Sequence, residues 1–170
     1  SASASFGTSV HAALKEFFET LKLNPGLAGQ TSDLENLIVG LLEKNWVNGG
    51  YKNKKYESDF LQKGKDYLKG FLKYGFNPSR LPLVLEQPFT VPVGKNLKIG
   101  GRIDRVDDLG NGEIEIIDYK TGATIPSKRE VDKNLQLSFY ALAATKIPYE
   151  PFARKPEKIK LSLYFLDEQE

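Results

Sequence analysis

Two stretches of this chain decide its fold: GGRIDRVD at residues 100–107 and EIEIIDYKTG at residues 113–122. Both intersperse β-branched residues with charged ones, a pattern typical of β-strands. The five residues between them, DLGNG at residues 108–112, favour a turn. The sequence therefore predicts a β-hairpin whose two strands both carry charged residues.

The second strand of this hairpin carries charge on its apolar face. Because side chains alternate between the faces of a strand, Asp118 and Lys120 share a face with Ile114 and Ile116. A buried charge is costly unless a partner or a metal compensates it. Asp104, on the neighbouring strand, is well placed to take part, so we expect the strand ends to form a site.

The composition is that of a globular protein of one domain, residues 1–170, with 27% charged and 40% hydrophobic residues. No run of about 18 apolar residues is present, and residues 1–5 lack the features of a signal peptide. We therefore expect a cytoplasmic protein with no membrane contact. The net charge of +2 is too small to indicate nucleic-acid binding by itself.

Two residue types are missing. Because there is no cysteine, disulfides, thiolate metal sites and an iron–sulfur cluster are excluded. Because there is no methionine either, we expect a fragment of a larger protein.

Hydrophobic periodicity predicts an α/β fold, a three-layer sandwich with a central mixed sheet. A capping box at Ser32 and Glu35 is expected to start the second helix. The predicted elements are helices from Gly7, from Ser32 and over 54–74, strands over 83–91, 97–107 and 113–119, a helix over 131–145, and a strand over 159–166.

Five sequence elements occur in a particular order: His11, the strand Gly101–Asp107, the strand Ile116–Gly122, and Gln136 followed by Tyr140. Together they resemble the PD-(D/E)XK nuclease superfamily, and more closely the RecB-like exonuclease domains of the AddAB and RecB type. This resemblance implies a restriction-endonuclease-like α-β-β-β-α-β core, here with two extra helices after the first.

The resemblance also implies hydrolysis of DNA with Mg²⁺, for which Mn²⁺ can substitute. Asp104 and Asp118 would be carboxylate ligands, since Mg²⁺ takes oxygen ligands. His11 and a backbone carbonyl, that of Tyr119, would complete the metal site. Surface acids and a packed histidine remain the alternatives for these side chains.

Further catalytic roles follow from the same resemblance. Lys120 would stabilise negative charge in the transition state or activate the attacking water. Glu86 would bind metal through water or a second metal, and Gln136 and Tyr140 would contact nucleic acid or orient Lys120. A solvated lysine, an exposed strand glutamate and an ordinary amphipathic helix remain the alternatives.

The expected partners are DNA and a helicase domain or subunit, in DNA repair or recombination. The lysine-rich stretch 52–73 is either a solvated face or a DNA track, and charge reversal of Lys63, Lys65 and Lys69 is expected to leave the fold intact. Weaker candidates for phosphate contacts or supporting roles are Arg102, Arg105 and Thr121.

Two rival functions remain at this point: an inactive nuclease fold that binds nucleic acid or a protein, and a glycosidase with two carboxylates.

Overall fold

The computed structural model describes residues 1–122, 127, 129–130 and 135–167, without the side chains of residues 135, 136 and 139. In chain order the helices and strands are α1 (Ala2–Leu23), α2 (Thr31–Lys44), α3 (Lys54–Tyr74), β1 (Val84–Val93), β2 (Leu97–Gly110), β3 (Glu113–Lys120), α4 (Leu135–Lys146) and β4 (Ile159–Phe165). Short 3₁₀ helices cover Pro25–Gly29 and Pro156–Lys158.

The chain divides into two compact units. Residues 1–81, 119–122 and 165–167 belong to one, which we call the helical unit, and the described residues among 82–118 and 124–164 belong to the other, the sheet unit. The predicted single domain over residues 1–170 stays a prediction. Among the described residues, no helix combines the length and apolar character needed to cross a membrane.

The first helix begins earlier than the sequence predicts. It starts at Ala2, where the Ser1 hydroxyl accepts a hydrogen bond from the Ala4 amide at 3.4 Å, and not at Gly7. Gly7 lies inside the helix, where an added Cβ would be 3.4 Å from Oγ1 of Thr121. The glycine is therefore an internal residue of α1 and does not start the helix.

The second helix lacks the predicted capping box. It begins at Thr31, and its N-cap residue Gln30 makes no side-chain capping bond. Ser32 consequently lies within the first turn, two residues past the N-cap position where a capping serine would stand.

The sheet unit contains a four-stranded mixed sheet in the order β1-β2-β3-β4. Strand β2 pairs antiparallel with both β1 and β3, and α4 lies in the connection from β3 to β4. The predicted α/β class, the mixed sheet and the α-β-β-β-α-β order with two extra helices are confirmed. Strand β2 continues to Gly110, so the turn is tighter than predicted and uses positive φ at 110–112.

The core of the sheet unit lies between the sheet and α4. Ala143 and Ala144 of α4 are fully buried, and their small side chains let the helix approach the strands closely. The strands contribute β-branched and aromatic residues to the same cluster, among them Phe89, Val91, Ile103, Val106, Ile114 and Ile116.

Gly101 is required by the packing of Phe89 on this core. An added Cβ at Gly101 would lie 2.9 Å from Cζ of the Phe89 ring, whereas one at Gly100 would meet its nearest atom, the Phe89 carbonyl oxygen, at 3.4 Å. Gly101→Ala should lower the free energy of unfolding by about 1–3 kcal/mol, because the buried ring must move. Gly100→Ala is the matched control and should cost much less. Urea denaturation measures both, and equal losses would contradict this account of Gly101.

Candidate metal centre

Two carboxylates face each other across β1 and β2. Leu85 pairs with Arg105, and the next residues along the two strands are Glu86 and Asp104. A carboxylate oxygen of each lies within 4.8 Å of the other. Acids directly opposite on neighbouring strands repel, which is unfavourable unless a cation lies between them.

A third carboxylate extends this row onto β3. Arg105 pairs with Ile117 on that side, so the same register continued by one residue brings Asp104 opposite Asp118. Asp104 is 7% exposed and Asp118 is 4% exposed, so neither carboxylate is an ordinary surface acid. The register thus brings the predicted residues Glu86, Asp104 and Asp118 to the same level of three adjacent strands.

Glu86 has an unusual backbone conformation. Its φ is +47°, in the left-handed region that a non-glycine residue adopts at a cost of order 1–3 kcal/mol. Only 12% of its side chain is exposed, and its carboxylate lies 4.0 Å from a guanidinium nitrogen of Arg102. The alternative of an exposed strand glutamate is therefore wrong, and Arg102 lies beside the acids.

Tyr140 fixes the third acid. Its hydroxyl lies 3.1 Å from Oδ1 of Asp118, to which it donates, and 3.1 Å from the backbone carbonyl oxygen of Arg102. The tyrosine is 6% exposed on α4, so this helix helps to position Asp118. Gln136 belongs to the same helix, but its side chain lies outside the described residues.

The donor set fits a hard divalent cation. Mg²⁺ binds oxygen ligands at 2.0–2.1 Å, so two oxygens sharing one ion lie about 3–4 Å apart. The separation of Glu86 and Asp104 is within 4.8 Å, and small side-chain adjustments would bring both oxygens to the ion. These two acids could hold a metal.

His11, Tyr119 and Lys120 belong to the helical unit. The His11 imidazole lies edge-on to the Tyr119 ring, with centroids 6.0 Å apart, and Tyr119 is 4% exposed. Lys120 is half-buried, and its carbonyl oxygen accepts a hydrogen bond from the Leu166 amide at 3.0 Å. Metal ligation by His11 and by the Tyr119 carbonyl, and the catalytic role of Lys120, stay predictions.

Three lysines of α3 have partners within the helical unit. Lys65 forms a 2.5 Å ion pair with Glu43, and Lys69 forms a 3.5 Å pair with Glu35. The Lys63 ammonium lies 5.3–5.9 Å from three aromatic rings, those of Phe6, Phe60 and Tyr67. Reversing these charges would replace these attractions with repulsions, but partly exposed ion pairs contribute little to stability, so the expectation that the fold stays intact remains a prediction.

Arg105 is also structural. It is 5% exposed and binds Asp107 through two hydrogen bonds, from Nε at 2.7 Å and from Nη2 at 2.8 Å. A buried guanidinium held in this way cannot reach a phosphate, so the suggested phosphate contact is wrong, whereas a supporting role of Arg105 stays a prediction. Arg102, which had the same weight as Arg105 in the sequence analysis, is the arginine that lies beside the acids.

Comparison with known proteins agrees with this arrangement of acids. The sequence pattern of the PD-(D/E)XK nuclease superfamily matches residues 1–170. The chain belongs to the PD-(D/E)XK nuclease superfamily. Members of this superfamily use divalent metals and cleave DNA, which agrees with the carboxylates of this nuclease domain.

A relative of this superfamily domain is an uncharacterized protein of Rickettsia bellii (strain RML369-C). The two are 25% identical over 131 residues, which cover 76% of this chain and 15% of the relative. The chain therefore spans only a small part of that protein.

Removal of the Tyr140 hydroxyl tests its contact with Asp118. Tyr140→Phe should lower the free energy of unfolding by about 1–3 kcal/mol, since the buried Asp118 carboxylate loses a donor. Tyr149→Phe is the matched control, because Tyr149 is 51% exposed, and it should change stability by less than about 0.5 kcal/mol. Chemical denaturation in chelator measures both, and equal stability of the two variants would refute the contact.

Proposed function

We propose that this protein is a divalent-metal-dependent deoxyribonuclease of the RecB-like type, acting as an exonuclease. The observation that carries the proposal is the register that aligns Glu86, Asp104 and Asp118 across three adjacent strands. Such a row of oxygen ligands suits Mg²⁺ or Mn²⁺.

The proposed metal ligands are Asp104 and Asp118, with Glu86 binding directly or through water. His11 and the Tyr119 carbonyl complete the set, and the position of His11 against the Tyr119 ring supports their joint role. The bound metal would supply Lewis acidity and a nucleophilic water for hydrolysis of a phosphodiester.

The remaining residues support the reaction through charge and position. Lys120 follows Asp118 by two residues on β3, so strand alternation directs both side chains to one face. Its ammonium would stabilise the negative charge that develops on the phosphate. Tyr140 holds Asp118 in orientation, and we propose that Gln136 orients Lys120 or contacts nucleic acid.

The wider setting is a proposal as well. We propose that the domain acts in DNA repair or recombination in the cytoplasm, together with a helicase domain or subunit. The Rickettsia bellii relative supports a multidomain setting, because the matched region is 15% of its length. An inactive binding module is disfavoured, since the acids and Lys120 that catalysis needs are all present.

A nuclease assay tests the proposal. End-labelled single- and double-stranded DNA is incubated with Mg²⁺, with Mn²⁺ and with EDTA. We expect release of short products from an end with either metal and none in EDTA. Intact DNA under every metal condition, with a folded protein, would refute the nuclease proposal, and cleavage of closed circular DNA would refute the exonuclease assignment.

Two substitutions separate catalysis from metal binding. Lys120→Ala should reduce the cleavage rate about 10²–10³-fold while metal binding persists, because a transition-state contact is lost. Asp118→Ala should abolish both cleavage and metal binding, because it removes a ligand. Rates and Mn²⁺ calorimetry measure the two effects, and Lys146→Ala on the exposed end of α4 is the control. A wild-type rate for Lys120→Ala would refute its catalytic role.

A further inference from the structure

We infer that the exposed face of the β1–β2 hairpin is a track for the sugar-phosphate backbone of a DNA strand, leading to the acids. We call this surface the hairpin face and define it by Pro88, Thr90, Pro92, Lys98, Gly100 and Arg102, together with the exposed Lys95 in the hairpin turn. The inference rests on the proposed function and adds where the substrate binds.

The hairpin extends beyond the rest of the sheet. Pairing of β2 with β3 begins at Arg105, so within the described part of the chain Leu97 to Ile103 pairs with β1 alone. At about 3.4 Å per residue, this two-stranded part is about 20 Å long. That length corresponds to about six nucleotides of one strand in B-DNA.

One side of this two-stranded part is buried and the other is open. Phe89, Val91 and Ile103 are at most 7% exposed and belong to the core beneath α4. The strand residues of the hairpin face alternate with them and are all exposed. The cross-strand pairs Pro88 with Arg102, Thr90 with Gly100 and Pro92 with Lys98 make this side a continuous strip.

The hairpin is positively charged. Residues 87–103 contain Lys95, Lys98 and Arg102 and no acid, a net charge of +3, whereas the whole chain carries +2. Among the described residues, no carboxylate lies within 4.0 Å of the Lys95 or Lys98 ammonium. The lysines of α3 differ, since Lys65 and Lys69 are paired with acids of α2.

The strip ends at the candidate metal centre. Arg102 is the last residue of the hairpin face, its side chain is 58% exposed, and its guanidinium lies 4.0 Å from the Glu86 carboxylate. A phosphate that binds Arg102 is therefore next to the acids. Gly100 carries no side chain, so the strip between Lys98 and Arg102 is unobstructed.

The chemistry of the strip favours a nucleic-acid backbone over a protein strand. Pro88 and Pro92 lack N–H groups, which weakens the edge of β1 as a template for another β-strand. The hairpin face has no aromatic side chain on which a base could stack. Cations without base-reading groups give binding that depends on salt and not on sequence.

The test is the salt dependence of DNA binding by Lys95→Gln/Lys98→Gln. Anisotropy of a fluorescein-labelled 20-nucleotide single strand is measured in EDTA, where no cleavage occurs, between 50 and 200 mM salt. The slope of log affinity against log salt should become shallower by about 1.4, from about 0.7 for each lost phosphate contact. Lys95→Arg/Lys98→Arg should restore the slope.

The matched control is Lys146→Gln/Lys155→Gln, which removes the same charge from two exposed lysines of the same unit. Lys155 lies far from the hairpin turn, at the opposite end of β2. The residue before it, Arg154, has its guanidinium 3.7 Å from where a Cβ of Gly112 would be, and Gly112 follows that end of β2. This control should keep the wild-type slope. An unchanged slope in the Lys95/Lys98 variant, or an equal loss in the control, would overturn the inference.

The outcome is separable from that of the nuclease proposal. A shallower slope in a protein that cleaves no DNA with any metal would refute the nuclease proposal and support the track. Metal-dependent cleavage together with an unchanged slope would support the nuclease proposal and refute the track.

Discussion

The structure of the sheet unit depends on one constraint: backbone pairing holds carboxylates of three neighbouring strands at one level. Residues opposite each other in antiparallel strands have Cβ atoms about 4.5–5.5 Å apart, and the ladder prevents them from separating. Glu86, Asp104 and Asp118 therefore cannot relieve their repulsion by moving apart. A divalent cation would relieve this repulsion. The strand pairing that forms the sheet therefore also favours binding of a metal between the acids.

The rest of the unit preserves this register. A slip of β3 by one residue would turn Asp118, together with Ile114 and Ile116, to the opposite face of the sheet. Ile114 and Ile116 under α4 oppose such a slip, because each would leave the apolar cluster. Tyr140 joins the same helix to Asp118, so packing of the core and orientation of an acid are linked. The left-handed backbone conformation of Glu86 is a local free-energy cost of this arrangement.

The sequence predicted the order of elements and the acids of β2 and β3, because strand alternation and the D-x-K spacing are local. The strand register also follows from the sequence, because the loops at 94–96 and 110–112 are centred so that Asp104 lies opposite Glu86 and Asp118. The partners of Lys65 and Lys69 were missed because Glu43 and Glu35 lie on another helix, and periodicity within α3 says nothing of them. The conformation of Glu86 has no sequence signal, since it is imposed by tertiary structure.

Anomalous diffraction from a crystal soaked in Mn²⁺ tests the central claim most directly, because manganese is located independently of activity. The account predicts a strong peak about 2.2 Å from an Asp104 carboxylate oxygen and within direct or water-mediated reach of Glu86 and Asp118. The peak should vanish in Asp104→Asn. A Mn²⁺-soaked crystal with no peak at these acids, or with the same peak in Asp104→Asn, would contradict it.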